Sequence, residues 1–566
     1  MDKRVVVFLV LSLVIILGFD LLLRQMGWLP EPPPAQDGSV PASPSSEREP
    51  TSALQAAKDS SSTSLIVPNQ SGLTPGAPAP GVSLPTLEQT VTVETDLVRV
   101  ELSNRGGVIR SWELKRYHTT PPENKPVQLV YQGGKFKGPL SITIPNADID
   151  KTIREGLYTI EKDFSKLDAA HPVGHVTMQF HDSASHLSVE KRLTFHHDSY
   201  VVDVSFAIEG VTESYDIGLG TNFGIVEWGD GFIGLIGSAS RVDDKVEKET
   251  PEKELERKGA VQWVALQDKY FLSVLMPKEG AAAFAKTEDP KIVSAGVRMA
   301  ASGAASSVAL QLYAGPKEYD TLRSLDVGLE DMIDFGWFIY GSWTIVRTVA
   351  KPIFYVLRFI HEYVGNYGVC IILLTMGIKL LFVPLQYKSY KSMKMMRLIQ
   401  PKIKEVQEKY KGDRDRLNKE LMKLYREQKV NPLGGFLPMF LQMPVFISLF
   451  NVLYMTIDLR QAPFMLWVTD LSLQDPFYVL PVLMGITMFI QQKITPTTMD
   501  PTQAKIMLVL PIGLTFLFVN FPAGLVLYWL TNNVLTITQQ LVTDRFLLTD
   551  KALISAGAQQ SGTTSA

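Results

Sequence analysis

The sequence predicts a polytopic α-helical membrane protein with six transmembrane helices, five of them forming a core bundle, plus an extracytoplasmic β-sandwich domain and a cytoplasmic helical hairpin. Three observations carry this prediction. Long apolar runs occur once near the N-terminus and then repeatedly beyond residue 365, close to the length that crosses a bilayer. Between them, residues 91–330 alternate apolar and polar side chains with the period of a half-buried strand. Finally, residues 388–429 carry 14 Lys and Arg against 6 Asp and Glu, and this basic block interrupts the C-terminal apolar runs. Basic segments beside spans stay on the cytoplasmic side, which orients the whole chain. The single cysteine, Cys370, leaves no intrachain disulfide and no cysteine-based metal site.

Residues 1–29 hold Asp2-Lys3-Arg4 followed by an apolar run. A cleaved signal peptide looks similar, but no small-x-small cleavage site follows, so an uncleaved anchor with a cytoplasmic N-terminus is the reading adopted. Residues 30–90 are rich in Pro, Ser, Ala and Gly and hold too little apolar material for a core, so they read as a disordered or extended tether. Within 91–330, Val98, Val100 and Leu102 alternate with polar residues, as do Val202, Val204, Phe206 and Ile208; Leu187-Ser-Val189 and Leu193-Thr-Phe195 repeat the pattern. Many short strands separated by Gly, Pro and Asn turns indicate a sandwich. The pair His196-His197 suggests a metal site, but neighbours on a strand point to opposite faces, which favours a turn or an edge. The domain has no phosphate-binding glycine loop and no HExxH.

Residues 334–364 are aromatic and amphipathic, with Phe354, Leu357 and Ile360 at helical spacing and Arg347, Lys351 and Arg358 beside them. They read as a helix lying in the membrane interface; a helix capping the β-domain is the alternative. The second span, 365–386, contains one cation, Lys379. It lies 11 residues after Gly368, roughly 16 Å along a helix axis. A lysine at that depth costs about 2.5–3.5 kcal/mol on insertion scales. It either snorkels to the nearer headgroups or marks a polar surface within the bundle. Thr375, one turn earlier, shares its face. Residues 387–430 form the basic hairpin, with Ile399, Ile403, Val406 and Tyr410 on one helical stripe, Leu417, Leu421 and Leu424 on another, and Gly412-Asp413 between them. The hairpin is a solvated stalk or a binding surface. Residues 431–545 carry spans three to six, two of them short, and the tail, 546–566, reads as disordered.

Polar groups recur in the bundle: Thr375, Lys379, Gln442, Asn520 (in the tight turn 520–524 before the sixth span), Thr531 and Asn532. Each is costly in hydrocarbon unless paired or hydrated, so together they predict a wet cavity. No acidic residue lies well inside the five C-terminal spans, so Lys379 has no intramembrane counter-ion. An unpaired cation in a wet groove attracts an acidic guest; at 4 Å and an effective dielectric of about 20 the gross gain is roughly 4 kcal/mol.

Several motifs bear a resemblance. Gly365-Asn-Tyr-Gly368, Gln400-Pro-Lys-Ile403, Lys429-Val-Asn-Pro-Leu-Gly-Gly435, Gln442-Met-Pro-Val445, Leu459-Arg-Gln-Ala-Pro463, Asp470-Leu-Ser472, Asp475-Pro-Phe-Tyr478, Pro496-Thr497 and Phe521-Pro-Ala-Gly-Leu-Val-Leu-Tyr528 occur in the order found in the YidC family of membrane-protein insertases, which residues 334–540 resemble. Lys191-Arg-Leu-Thr-Phe195 and Tyr313-Ala-Gly-Pro316 are similar to motifs of the large periplasmic domain in Gram-negative members. The resemblance implies an insertase and chaperone of the bacterial inner membrane, with both termini cytoplasmic and the β-domain periplasmic. It acts alone or with the Sec translocon and receives the hydrophilic tails of nascent membrane proteins while their apolar segments enter the lipid. Lys379 matches the family's groove cation, which is usually Arg; Lys keeps the charge without the planar donor fork. Thr375 and Tyr528 match groove residues, and Trp529 stands where a second Tyr is common. With Gln442, Asn520 and Asn532 they form the expected groove. The hairpin is expected to recruit substrate, ribosome or targeting machinery. No catalytic residues, cofactor, metal or nucleic-acid recognition are expected. A secondary transporter of an anionic solute is the alternative, although no inverted repeat or matched pair of broken helices is visible. An intramembrane hydrolase needs a serine near Lys379, and Ser448 is the candidate within the C-terminal spans.

Overall fold

The computed structural model describes residues 87–547 apart from 121–122, 134–136, 228–235, 250–252, 290, 301–304, 334, 336–343, 429, 431–436 and 496–500. The predicted anchor (1–29), almost all of the tether, the turn at 431–435, Pro496-Thr497 and the tail beyond residue 547 lie outside the described residues.

Alternation in the sequence becomes alternation in burial. Strand Leu187–His196 and strand Val201–Glu209 each bury every second side chain along their whole length. Such strands need a partner layer over the apolar face. A nine-stranded antiparallel sheet runs, edge to edge, through Lys245–Glu249, Gly237–Val242, Val261–Gln267, Phe271–Pro277, Ala305–Pro316, Val201–Glu209, Leu187–His196, Val173–Asp182 and Thr159–Lys162. A five-stranded antiparallel sheet, with Ile292–Met299 at its centre, covers the part formed by Gly237–Val242, Val261–Gln267 and Phe271–Pro277. A four-stranded sheet holds Thr90–Glu94, Val98–Ser103, Val108–His118 and Pro126–Gln128. The predicted turn after Leu102 is present, and Gly106 and Gly107 take φ of 70° and 57°, a region that favours glycine. His196 ends its strand against Asp203, and His197 bonds Asp96 at 3.0 Å. Among the described residues no cluster could hold a metal.

Among the described residues the β-domain buries two cations, Lys191 and Lys317. Lys191 shares the inward parity of Leu187, Val189, Leu193 and Phe195 and is fully buried. Its ammonium donates to the carbonyls of Gly106, Gly107 and Leu140 at 2.9, 2.8 and 3.0 Å and lies over the rings of Tyr158 and Phe206. Burial pushes its pKa down to about 7. Two short helices serve this domain: α1 (Ala147–Glu155), capped by the Asn146 side chain, and α2 (Tyr319–Ser324).

Among the described residues seven further α-helices follow: α3 (Thr344–Val364), α4 (Tyr367–Lys409), α5 (Arg414–Glu427), α6 (Leu437–Met455), α7 (Val479–Ile494), α8 (Pro501–Phe518) and α9 (Ala523–Val542). The expected break near Pro384 is absent: α4 continues for 43 residues through Pro384 and Pro401, so the second span and the first hairpin arm are one helix. The hairpin turn falls at the predicted Gly412-Asp413, where Gly412 takes φ of 115° and Asp413 caps α5. Met396, Ile399, Val430, Ile403 and Tyr425 form the hairpin's apolar seam. Helix α7 runs to Ile494, and Thr495 follows as its C-cap. Among the described residues α4 alone is long and apolar enough to cross a bilayer by itself, while Gln442–Met455, Val479–Ile494 and Leu508–Phe518 are shorter apolar stretches.

Helix α3 packs on α6 and α4; it buries Val346, Ala350, Ile353, Phe354 and Leu357 and leaves Val356, Phe359 and Tyr363 exposed. It also meets the β-domain, since Phe354 lies 5.4 Å from Tyr319 and Arg358 bonds Asp320 at 2.6 Å. A second contact joins the β-domain to the segment between α6 and α7: Arg460 lies over Tyr270 and Phe271, and Gln461 donates to the His118 carbonyl at 3.0 Å.

Candidate functional site

Helix α9 is the hub. It packs against α4, α6 and α7, while α3 is the main neighbour of α6 and α7 the main neighbour of α8. Its sequence explains this role, because polar residues lie on two faces. Asn533 and Gln540, seven apart, face α7: Asn533 bonds Thr487 at 3.3 Å, and Gln540 donates to the Ile494 carbonyl at 3.0 Å. Tyr528, Asn532 and Thr536, spaced by four, lie on the other face.

That second face receives the lone cation. Lys379 donates from Nζ to Thr536 Oγ1 at 2.8 Å, and the Thr536 hydroxyl donates to the Asn532 carbonyl at 2.6 Å. Gln442 of α6 donates from Nε2 to Asn532 Oδ1 at 3.0 Å. The result is a polar seam across α4, α9 and α6. Lys379 is 7% exposed, so it points into protein and not to the headgroups, and it is more enclosed than a wet groove predicts. Its partner is a neutral hydroxyl, and among the described residues no carboxylate pairs with it. An ammonium has three donors, so two of them find no acceptor among the described residues. Thr375 is buried on the same face and returns its hydroxyl to the Ile371 carbonyl at 2.6 Å.

Aromatic rings extend the seam toward the start of α9. Tyr528 is buried with Phe446 at 5.9 Å, and Trp529 stands edge-on to Phe446 at 4.9 Å and to Phe518 at 4.7 Å. Tyr528 lies eight residues before Thr536, about 12 Å along the axis. The site is thus polar at one end and aromatic at the other.

The structure gathers Lys379, Gln442 and Asn532, places Thr375, Tyr528 and Trp529 on the adjoining surfaces, and leaves Asn520 out. Asn520 is exposed in the turn before α9. Pro522 starts that helix, so Thr536 lies 13 residues beyond Ala523, about 20 Å away along the axis. Thr536 was not anticipated. Its signal was available in the spacing of four from Asn532 and eight from Tyr528. Ser448 is fully buried and donates to the Val346 carbonyl at 2.9 Å, fastening α3 to α6.

A membrane-associated helical bundle carrying a buried cationic seam, joined to a large β-sandwich, defines the class. Residues 359–550 match the family described as 60Kd inner membrane protein, and residues 90–356 match the YidC periplasmic domain. Curated relatives named membrane protein insertase YidC include that of Oleidesulfovibrio alaskensis, 36% identical over 95% of this chain and 98% of the relative. Those of Syntrophus aciditrophicus (36% identical, 95% and 99%) and Pelobacter propionicus (37% identical, 97% and 100%) span the chain as fully. A solved YidC insertase is 18% identical, with 82% of this chain and 94% of that chain covered at a TM-score of 0.35. The chain belongs to the YidC family of membrane protein insertases, which are inner-membrane proteins with a periplasmic domain.

Proposed function

We infer that this chain inserts and chaperones membrane proteins by receiving the hydrophilic tail of a nascent substrate along the seam of Lys379, Thr536, Asn532 and Gln442, while the apolar segment passes into lipid. The observation that carries this reading is the enclosed Lys379 ammonium, held by one neutral hydroxyl. A substrate carboxylate at about 4 Å gains roughly 4 kcal/mol before desolvation. That gross figure supports capture without trapping, because both partners lose water on pairing. Tyr528, Trp529 and Phe446 line the apolar end. Insertion is driven by partitioning of substrate side chains, about 0.8 kcal/mol per buried CH₂.

In this reading the chain has six spans, both termini in the cytoplasm and the β-domain in the periplasm. The basic hairpin of α4 and α5 recruits substrate, ribosome or targeting machinery, and the Sec translocon is a further partner. The test is insertion of a substrate with an acidic translocated tail into proteoliposomes. Lys379→Glu is expected to reduce insertion tenfold or more, a difference of about 1.4 kcal/mol, while Lys379→Arg retains it. Normal insertion by the Glu variant would sink the charge mechanism.

A further inference from the structure

The segment between α6 and α7 has two unlike sides. One side is polar or charged and turned to the β-domain, through Arg460 on Tyr270 and Phe271 and through Gln461 on His118. The other side exposes large apolar side chains: Leu466 is 81% exposed, Phe477 67% and Met465 54%, with Tyr478 beside them. Trp467 joins the two exposed turns, its ring edge-on to Phe477 at 6.5 Å.

This apolar side is built and not a loose loop. Asp475 is fully buried, and its carboxylate accepts from Trp467 Nε1 at 2.9 Å, the Phe477 amide at 3.0 Å and the Leu480 amide at 2.7 Å. The Asn366 side chain, which caps α4, donates to the Phe464 carbonyl at 2.8 Å. The amides of Ala523 and Gly524, which open α9, donate to the carbonyls of Leu473 and Leu471. The segment is therefore tied to the same end of α4, α7 and α9. Leu466 and Tyr478 take φ of 54° and 58°, which bulky residues adopt only when their surroundings impose it. The chain spends strain to hold these two side chains outward.

The exposed side continues a surface already defined. Tyr478, Val482, Ile486 and Ile490 form one exposed stripe at a spacing of four that runs the length of α7. A stripe of this kind on a bundle helix of an inner-membrane family faces acyl chains. Leu466, Met465 and Phe477 extend it past the helix end, and Trp467 and Tyr478 are the residue types that settle at the headgroup level. We propose that the 465–478 apolar spur inserts into the leaflet on the β-domain side and contacts lipid acyl chains directly, anchoring the seat on which the β-domain rests. This rests on the family's membrane location and is independent of the role given to Lys379.

The test is collision accessibility of a nitroxide at Leu466→Cys in the full chain carrying Cys370→Ala, reconstituted in phosphatidylethanolamine–phosphatidylglycerol vesicles, with Met465→Cys as a second label. Leu381→Cys on α4 and Val173→Cys on the β-domain are the references, both being exposed positions. The expected result is that 465 and 466 resemble 381, accessible to oxygen and severalfold less accessible to a water-soluble nickel chelate than 173. If both labels resemble 173, the spur lies in water and the proposal fails. Shielding from both reagents overturns it too, because a second copy or another protein then covers the spur. If 381 itself reads as water, the membrane placement of the bundle falls, separately from the spur.

Discussion

Lys191→Met is the most direct probe of how the β-domain holds together. The substitution keeps an unbranched chain of similar length but removes the donor that serves three carbonyls. A buried acceptor left without a donor costs about 1–3 kcal/mol. Each carbonyl has a second lone pair, so the low end applies and the three together lose about 3 kcal/mol. Relief from burying an ammonium offsets part of this, leaving a net loss of about 2–3 kcal/mol. For a domain of this size that lowers the midpoint by about 4–12 °C, read by strand-sensitive circular dichroism of the full-length protein in detergent. The pH dependence has a definite sign. The folded pKa is pushed down to about 7 from an ordinary value of 10.5. Below about pH 7 both states carry the proton and this group gives no slope. Between about pH 7 and 10.5 the unfolded chain binds the proton that the folded chain has lost, so stability rises with pH. Lys191→Met should lose that rise. An unchanged midpoint together with an unchanged pH slope would refute the assigned role.

Two further outcomes follow from contacts at the seam and in the sandwich. Thr536→Val removes the acceptor of the Lys379 ammonium, a bond to a charged donor worth about 1.5–3 kcal/mol. Insertion of acidic-tailed substrates should fall several-fold with neutral-tailed ones spared, and equal loss for both would point to a packing defect instead. Gly296→Ala places a Cβ 2.3 Å from the Ile217 carbonyl oxygen, and backbone cannot yield as a side chain can. It should destabilise the five-stranded sheet by about 1–3 kcal/mol, seen as a lower unfolding midpoint with the helical signal retained.

Much of the fold was legible because its signals are periodic and local. Leu187–His196 and Val201–Glu209 show the strand alternation in the residues themselves, and the stripes either side of Gly412-Asp413 show a helical hairpin. The candidate cation was equally legible, since one charge in a long apolar run is conspicuous. Element ends were less so. Pro384 did not stop α4, because a helix ends where tertiary partners and caps end it.

The sequence by itself determined which side chains alternate, where a cation sits inside an apolar helix, and that no acidic residue of its own span neutralises it. It even placed Lys191 on the inward parity of its strand, although the residue type alone argues for the surface. Only the tertiary structure decided who meets whom. Lys379 finds Thr536, 157 positions away, and Lys191 finds Gly106 and Gly107, more than 80 positions away. Asn520, equally polar, ends up outside the seam. The reason is that a charge is placed by its chemistry, whereas its partner is placed by the packing of helices and sheets that close around it.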